Sequence, residues 1–159
     1  MEWRLMRVHE FRSEVLLPRL RDEIFAFFSD ASNLDAITPP WLHFRTSTPG
    51  PIEMRRGALI DYQIRLRGFP MRWRTKIIVW EPPTRFVDEQ VRGPYRKWIH
   101  EHTFEERDGG TLVRDRVRYA VPFDSFLHPW LVRPDIERIF TYRTDKLRQY
   151  FGRKMTDQR

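Results

Sequence analysis

Two histidines and two carboxylates lie on predicted neighbouring strands, and their types and spacing could support acid/base or metal chemistry. His100 and His102 are separated by one residue, so both project from the same face of a strand. Asp115 follows on the next predicted strand and Glu89 precedes on the previous one. An imidazole changes protonation near neutral pH, and a carboxylate beside it can hold one tautomer. These four residues are therefore the candidate catalytic group.

Three interpretations of this group stay open. The first is a structural polar network or the lining of a wet cavity, because buried carboxylates need partners. The second is ligand recognition or acid/base catalysis by a pair such as His102–Asp115 or His100–Glu89. The third is a divalent metal held by the His-x-His pair and a carboxylate. No specific metal or cofactor motif accompanies the pair, so we expect no metal and no cofactor.

The hairpin after the histidines predicts which side chains share a face. A four-residue loop at 107–110 sets His102 opposite Asp115 and Trp98 opposite Tyr119. The predicted inner face is otherwise apolar, with Val87, Val91, Trp98, Phe104, Val113, Val117 and Tyr119. The polar group is thus expected to form one corner of an apolar surface.

The hairpin before the histidines is predicted in the same way. A four-residue loop at 93–96 sets Glu89 opposite His100. A slip of one residue here would replace Glu89 with Asp88 and Gln90, because successive side chains in a strand point to opposite faces. The identity of the acidic partner depends on this register.

The surrounding pattern predicts a strand, two short helices, six strands and a long helix, joined by turns rich in proline and glycine. The strands are expected at 8–17, 41–48, 58–67, 71–81, 85–92, 97–106 and 111–121. The helices are expected at 19–29, 31–37 and 134–151. The short connections indicate antiparallel neighbours. Residues 123–130 are interpreted as an irregular lid or packed connector, and 152–159 as a polar tail.

Arg143 is the second unexpected polar residue, because it lies on the apolar stripe of the last helix, which should cover the sheet. One interpretation is a salt bridge to Glu89 or Asp115. The other is an anchor for a ligand carboxylate, since a guanidinium offers a rigid pair of donors. Both place Arg143 at the polar corner.

Composition limits the remaining possibilities. The net charge of +7 comes from 29 basic residues against 22 acidic ones, dispersed along the chain. We expect a solvated basic surface and no specific nucleic-acid partner, with a basic interaction module as an alternative function. There is no cysteine, no apolar stretch long enough for a membrane span, and no apolar signal-peptide core in 1–10. These features favour a cytoplasmic protein, and leave the oligomeric state undetermined.

Several segments resemble one known superfamily over about residues 8–151. They are Arg85-Phe86-Val87-Asp88-Glu89-Gln90, the run 93–104, Gly109-Gly110-Thr111, Asp115, 119–122 and Ile139-Phe140-Thr141-Tyr142-Arg143. The chain resembles the START-type, birch-pollen-allergen-like (SRPBCC) superfamily in its polyketide cyclase/dehydrase-like bacterial branch. The resemblance implies a single α+β helix-grip domain over 1–159, in which a seven-stranded curved antiparallel sheet surrounds a long C-terminal helix.

The same resemblance implies an internal cavity for an apolar ligand. The ligand would be a lipid, isoprenoid, polyketide or aromatic compound. The expected ligand-binding residues are Tyr62, Trp73, Trp98, His100, His102, Tyr119 and Arg143. The alternative is a cyclase/aromatase or dehydratase enzyme that uses a buried His/carboxylate pair.

Overall fold

The computed structural model describes residues 6–152, so all but Gly152 of the predicted tail lies outside the described residues. The strands are β1 (His9–Leu17), β2 (Arg45–Thr46), β3 (Leu59–Leu66), β4 (Phe69–Glu81), β5 (Arg85–Arg92), β6 (Lys97–Arg107) and β7 (Gly110–Ala120). The helices are α1 (Arg21–Phe28), α2 (Asp124–Leu127) and α3 (Arg133–Phe151), with a π-helical segment at His128–Val132 between the last two.

Over residues 6–152 the seven strands form one curved antiparallel sheet in the order β1-β7-β6-β5-β4-β3-β2. The sheet surrounds α3, as predicted. The buried stripe of α3 consists of Ile136, Phe140, Arg143 and Leu147. Burying this stripe against the concave face removes apolar surface from water, which is the main stabilising contribution in such a two-layer arrangement.

The predicted register of β6 and β7 is confirmed, with His102 opposite Asp115 and Trp98 opposite Tyr119. The pairing continues to the two-residue turn Asp108-Gly109, whose φ angles of 51° and 74° are both positive. Two positive φ angles define the turn that matches strand twist in a hairpin, and Asp-Gly is a preferred sequence for it. Local turn chemistry therefore fixes this register.

The predicted register of β5 and β6 is wrong by one residue. Asp88 lies opposite His100, and Glu89 pairs with Ile99 instead. The regular pairing ends there, and the Gln90 side chain closes the loop by bonding the backbone N and O of Tyr95 at 3.1 and 2.7 Å. The side-chain amide of Gln90 thus takes the place of backbone–backbone hydrogen bonds in this loop. Loop length alone cannot predict such a replacement. Consequently Asp88 faces inward, whereas Glu89, Val87 and Val91 do not share that face.

Two other segments differ from their predictions. The short helix expected at 31–37 is two 3₁₀ turns, Ala31–Asn33 and Asp35–Ile37. The strand expected at 41–48 is reduced to β2, because a further 3₁₀ turn begins at Pro40, where proline has no N–H to give to a ladder.

The segment 123–130 is helical from Asp124, not irregular as predicted. Pro129 lacks an N–H, and the chain accommodates it in the π-helical segment that leads into α3. Phe123, Phe126 and Trp130 are each more than 70% exposed, so they are not packed as a connector would be. We call residues 124–132 the helical arm.

The convex face of the sheet holds many of the arginines in ion pairs. Arg116 bonds Glu10 on β1, and Arg114 bonds both Glu14 and Glu105 across neighbouring strands. This agrees with a basic surface in which acidic residues are interspersed. None of the helices in residues 6–152 has the length and hydrophobicity to span a membrane.

Candidate functional site

A cavity of about 200 Å³ lies between the concave face of the sheet and α3. Apolar side chains from α1, the 3₁₀ turns, the sheet and α3 make up most of its wall, including Phe28, Leu34, Ile60, Ile64, Ile77 and Phe140. Its aromatic side is formed by Tyr62 stacked on Trp73 at 5.9 Å, with Trp98 edge-on to Trp73 at 5.5 Å. The cavity therefore suits an apolar molecule.

One end of the cavity is polar and is lined by Asp88, His100, His102 and Arg143. We call these four residues and Asp115, which contacts His100, the polar cluster. Strand alternation on β5, β6 and β7 brings the two aspartates and the two histidines to the concave face, and α3 brings Arg143. His100, His102, Asp115 and Arg143 are all buried. These groups must satisfy one another, because water is largely excluded.

Hydrogen bonds within the polar cluster run diagonally between strands. His100 Nε2 lies 2.7 Å from Asp115 Oδ1, and His102 Nε2 lies 2.8 Å from Asp88 Oδ2. The predicted pairs were His102–Asp115 and His100–Glu89, and neither is the observed hydrogen bond. His102 Nδ1 does approach Asp115 Oδ1 at 3.3 Å, but without hydrogen-bond geometry.

The two imidazoles have different environments, although their rings are only 3.8 Å apart. Burial, and then the charge of His102, lower the pKa of His100. Burial also opposes protonation of His102, but its contacts with Asp115 and Asp88 outweigh burial and raise its pKa. His100 is therefore neutral near neutral pH, and a proton taken up by the pair favours His102.

Both carboxylates of the polar cluster are ionised. Burial would raise the pKa of Asp115, but Arg143 and the two imidazoles outweigh it and hold the pKa well below its usual range. Burial is likewise outweighed at Asp88, where His102 lowers the pKa. With a proton on His102, the two carboxylates, one guanidinium and one imidazolium sum to zero charge, which is the state that burial favours.

Arg143 is the least satisfied member of the polar cluster. Its Nη2 is 3.6 Å from Asp115 Oδ1, which is longer than a hydrogen bond. Its Nε has no hydrogen-bond partner among residues 6–152. Both Phe28 and Phe140 lie under the guanidinium, at 5.3 and 5.9 Å. Arg143 thus balances charge while keeping hydrogen-bond donors available.

Most of the predicted ligand-binding residues line the cavity, namely Tyr62, Trp73, Trp98, His100, His102 and Arg143. Tyr119 does not line it. Tyr119 is fully buried beside Trp98, and its hydroxyl bonds His128 Nε2 at 2.8 Å. Glu89 is also absent from the cavity wall, because the β5–β6 register places Asp88 there instead.

Asp88 faces the cavity although it was predicted to face outward, and Thr75 is a polar residue of the site that was not predicted. Thr75 Oγ1 lies 3.2 Å from Asp88 Oδ1 and from the backbone oxygen of Glu89. The alternation of β4 puts Thr75 on the inner face, which was the available signal. Its partner could only be named once the register of β5 was known.

A family model described as polyketide cyclase/dehydrase and lipid transport matches residues 17–148. The chain belongs to this family. The START-type, birch-pollen-allergen-like resemblance predicted from the sequence is thereby confirmed. Both the family and the fold support a protein of the hydrophobic-ligand-binding or polyketide-cyclase type. No curated protein matches the chain.

Solved structures share the fold of this family member at low sequence identity. Protein CV1439 from Chromobacterium violaceum is 12% identical with a TM-score of 0.71, over 91% of this chain and 98% of its own. The ginseng major latex-like protein 151 from Panax ginseng is 12% identical with a TM-score of 0.68, over 91% and 97%. A norcoclaurine synthase point mutant from Thalictrum flavum is 12% identical with a TM-score of 0.64, also over 91% and 97%. At such identities the likeness extends to the fold alone.

Proposed function

We propose that this chain binds a compact apolar molecule that carries a hydrogen-bond-accepting oxygen group. The observation that carries the proposal is the apolar cavity with the incompletely bonded Arg143 at its polar end. Binding sites for small molecules are mostly apolar, with a few placed polar groups that fix orientation. The cavity and the polar cluster together have this composition.

The cavity volume favours a small ligand. An apolar cavity of about 150 Å³ accepts benzene, and this one measures about 200 Å³. Of the expected ligand classes, an aromatic or short polyketide molecule fits without expansion of the cavity. A long-chain lipid or isoprenoid would require the walls to move apart.

The polar end selects for an oxygen acceptor. Arg143 Nε and Trp73 Nε1 are buried donors without partners among the described residues, and neither atom can accept a hydrogen bond. An unsatisfied buried donor costs about 1–3 kcal/mol. A ligand carbonyl oxygen bonded to Arg143, or a carboxylate taken up together with a proton on His100, would remove part of this penalty, whereas a pure hydrocarbon would not.

The proposal is tested with two probes that share a ring system. Binding of 2-naphthoic acid and 2-methylnaphthalene would be measured by native mass spectrometry and tryptophan fluorescence. We expect the acid to bind about 10- to 100-fold more tightly, the range for a charge-assisted hydrogen bond. Arg143→Met should abolish this preference and keep the hydrocarbon affinity.

Arg148→Met is the matched control, because Arg148 is an exposed arginine on the same helix. It should keep the preference for the acid. A chain that takes up neither probe, nor a long-chain fatty acid, and carries no small molecule after purification without detergent contradicts the proposal. Equal affinity for the acid in wild type and Arg143→Met contradicts the assigned role of Arg143.

A second candidate function is a cyclase or dehydratase activity, and the state of His100 favours it. With its Nε2–H donated to Asp115, a neutral His100 keeps Nδ1 as a free acceptor. Nδ1 could take a proton from a carbon next to a ligand carbonyl, and Arg143 could stabilise the enolate oxygen that results. His102 would position the cluster, since both its nitrogens face carboxylates.

The enzymatic candidate is tested by turnover of β-ketoacyl and β-hydroxyacyl thioesters, followed by mass spectrometry. A general base contributes about 10²–10⁴-fold, so His100→Gln should lower kcat by that factor and leave ligand affinity nearly unchanged. His43→Gln is the control, because His43 is exposed outside the site. Turnover that survives His100→Gln unchanged contradicts this candidate.

A cytoplasmic location, one domain over residues 1–159 and the lack of a specific nucleic-acid partner remain predictions from the sequence. They are compatible with a small-molecule-binding protein of this family, and the ligand experiments do not depend on them.

A further inference from the structure

A second group of metal-ligating side chains lies outside the cavity, where the helical arm meets the sheet. We call it the edge cluster: His9, Tyr119, Asp124 and His128. His9 begins β1 and is the register partner of Tyr119 on β7. Asp124 and His128 are four residues apart on the helical arm, which places both on one face of a helical turn. Three separate parts of the chain thus converge at one point.

The geometry of the edge cluster is compact. One ligand atom from each of His9, Asp124 and His128 lies within 4.8 Å of the others. The two imidazole rings stack at 3.4 Å with an interplanar angle of 6°. His9 Nε2 contacts Asp124 Oδ1, and Tyr119 Oη lies 2.8 Å from His128 Nε2.

We propose that His9, Asp124 and His128 form a binding site for a divalent late transition metal ion such as Zn²⁺. Zn²⁺ takes imidazole and carboxylate ligands at about 2.0–2.2 Å, so tetrahedral ligand atoms lie about 3.4 Å apart. The His9 and His128 rings would rotate out of their stack to aim one nitrogen of each at a common ion. Tyr119 or a water molecule would complete the coordination.

Accessibility and local charge favour this site over the Asp88, His100 and His102 group, which is also close enough to hold an ion. In the cavity the fixed positive charge of Arg143, whose Nε has no hydrogen-bond partner among the described residues, lies 3.6 Å from Asp115. A metal ion there would meet a buried cation.

Side-chain exposures are 12% for His9 and 22% for Asp124, compared with 16% for Asp88, 8% for His100 and 6% for His102 in the cavity. Arg133 approaches the Tyr119 hydroxyl, but its charge is paired with Glu137, whose Oε1 lies 2.8 Å from Arg133 Nε. The position in the fold gives the site a structural consequence. The bound ion would hold the helical arm against β1 and β7, next to the π-helical segment, and π-helical turns are frequent at functional sites. The proposal is independent of the cavity ligand, and it departs from the sequence-based expectation that the chain has no metal.

The test is a Co²⁺ titration of the full chain after treatment with a chelator. We expect the chain to bind one equivalent of Co²⁺ and to show the visible absorption bands of low-symmetry Co²⁺ coordination. One equivalent of Zn²⁺ should displace the Co²⁺ and remove these bands. His9→Gln and His128→Gln should each weaken Co²⁺ affinity at least about 100-fold, since each removes a direct ligand. Tyr119→Phe should weaken it about 10- to 100-fold, as loss of a supporting group does.

The other histidines supply the controls. His43→Gln and His102→Gln should retain wild-type Co²⁺ affinity. If His102→Gln loses Co²⁺ binding while His9→Gln and His128→Gln retain it, the metal binds in the cavity and the proposal is wrong. The proposal is also wrong if the wild type binds no stoichiometric Co²⁺. If His9→Gln and His128→Gln do not fold, the position of the ion can be located in the wild type from the paramagnetic broadening that bound Co²⁺ causes in the amide NMR signals. Broadening around residues 9, 119, 124 and 128 supports the site, and broadening around 88, 100 and 102 refutes it.

Discussion

Replacing Arg143 with methionine should destabilise the protein in a pH-dependent manner. Arg143 Nη2 lies 3.6 Å from Asp115 Oδ1, and both residues are buried. At an effective dielectric constant of about 20, the attraction over this distance is about 5 kcal/mol. Removing one partner of a buried ion pair costs about 3–5 kcal/mol. We expect Arg143→Met to lower the free energy of unfolding by this amount at pH 8.

The loss should shrink as the pH falls, because His100 can replace the missing charge. In the wild type the pKa of His100 is lowered, so its contribution to stability is present above the unfolded pKa and is lost as the pH falls. In Arg143→Met the uncompensated carboxylates should raise the pKa of His100 above its unfolded value. Its contribution is then present at low pH and lost as the pH rises. If folded Arg143→Met binds one more proton than the folded wild type, the stability difference between them shrinks by up to about 1.4 kcal/mol for each unit that the pH falls.

The assay is urea denaturation of wild type and Arg143→Met at pH 6 and pH 8. Arg148→Met is the control, since Arg148 is 61% exposed and lies 3.8 Å from Asp145 on the surface. Exposed pairs contribute about 0–1 kcal/mol. The charge-balance reasoning is refuted if Arg143→Met loses the same stability at both pH values, or no more than Arg148→Met loses.

Three further predictions concern the sheet and its loop. Phe104 is 2% exposed, so Phe104→Ala should lower the free energy of unfolding by about 3–5 kcal/mol in urea denaturation; a loss below 1 kcal/mol would contradict its place in the core. Asp88→Asn should lower the pKa of His102, because it removes a charged acceptor, and NMR titration of the imidazole signals would measure this; an unchanged midpoint argues against the observed register. Gln90→Ala should lose about 1–2 kcal/mol and speed amide exchange in the β5–β6 loop, since two hydrogen bonds close that loop; unaltered exchange would show that the amide does not hold it.

The alternative of a basic interaction module stays a prediction from composition. The convex face of the sheet presents arginines already paired with carboxylates, such as Arg116 with Glu10. Charges neutralised by neighbours attract polyanions less strongly than free ones. Retention on heparin over a salt series would measure what remains.

Much of the fold could be predicted because its signals are local. Alternating apolar residues specify strands, and the helical spacing from Ile136 to Leu147 specifies the stripe that the sheet covers. The four-residue loop predicted at 107–110 is a two-residue turn at Asp108-Gly109, but both give the same β6–β7 register, so His102 was correctly set opposite Asp115. The cavity itself was implied by the resemblance, and the strand pattern put His100, His102 and Asp115 on the face that it adjoins.

The acidic partner in that corner was decided only by tertiary structure. The β5–β6 loop is closed by the Gln90 side chain, so its register depends on a long-range contact with Tyr95 that no local pattern reports. A shift of one residue then exchanged Glu89 for Asp88.

The sequence by itself determined the covering helix and the strands other than the one expected at 41–48, since periodicity and turn residues act over a few positions. The family followed from the resemblance of particular segments. Only the tertiary structure decided the hydrogen bonds of His100 and His102, the charge balance with Arg143, and the meeting of His9 with His128. These contacts join residues far apart in the chain. They depend on register and on helix placement, and a shift of one residue in strand register reverses which side chain faces inward.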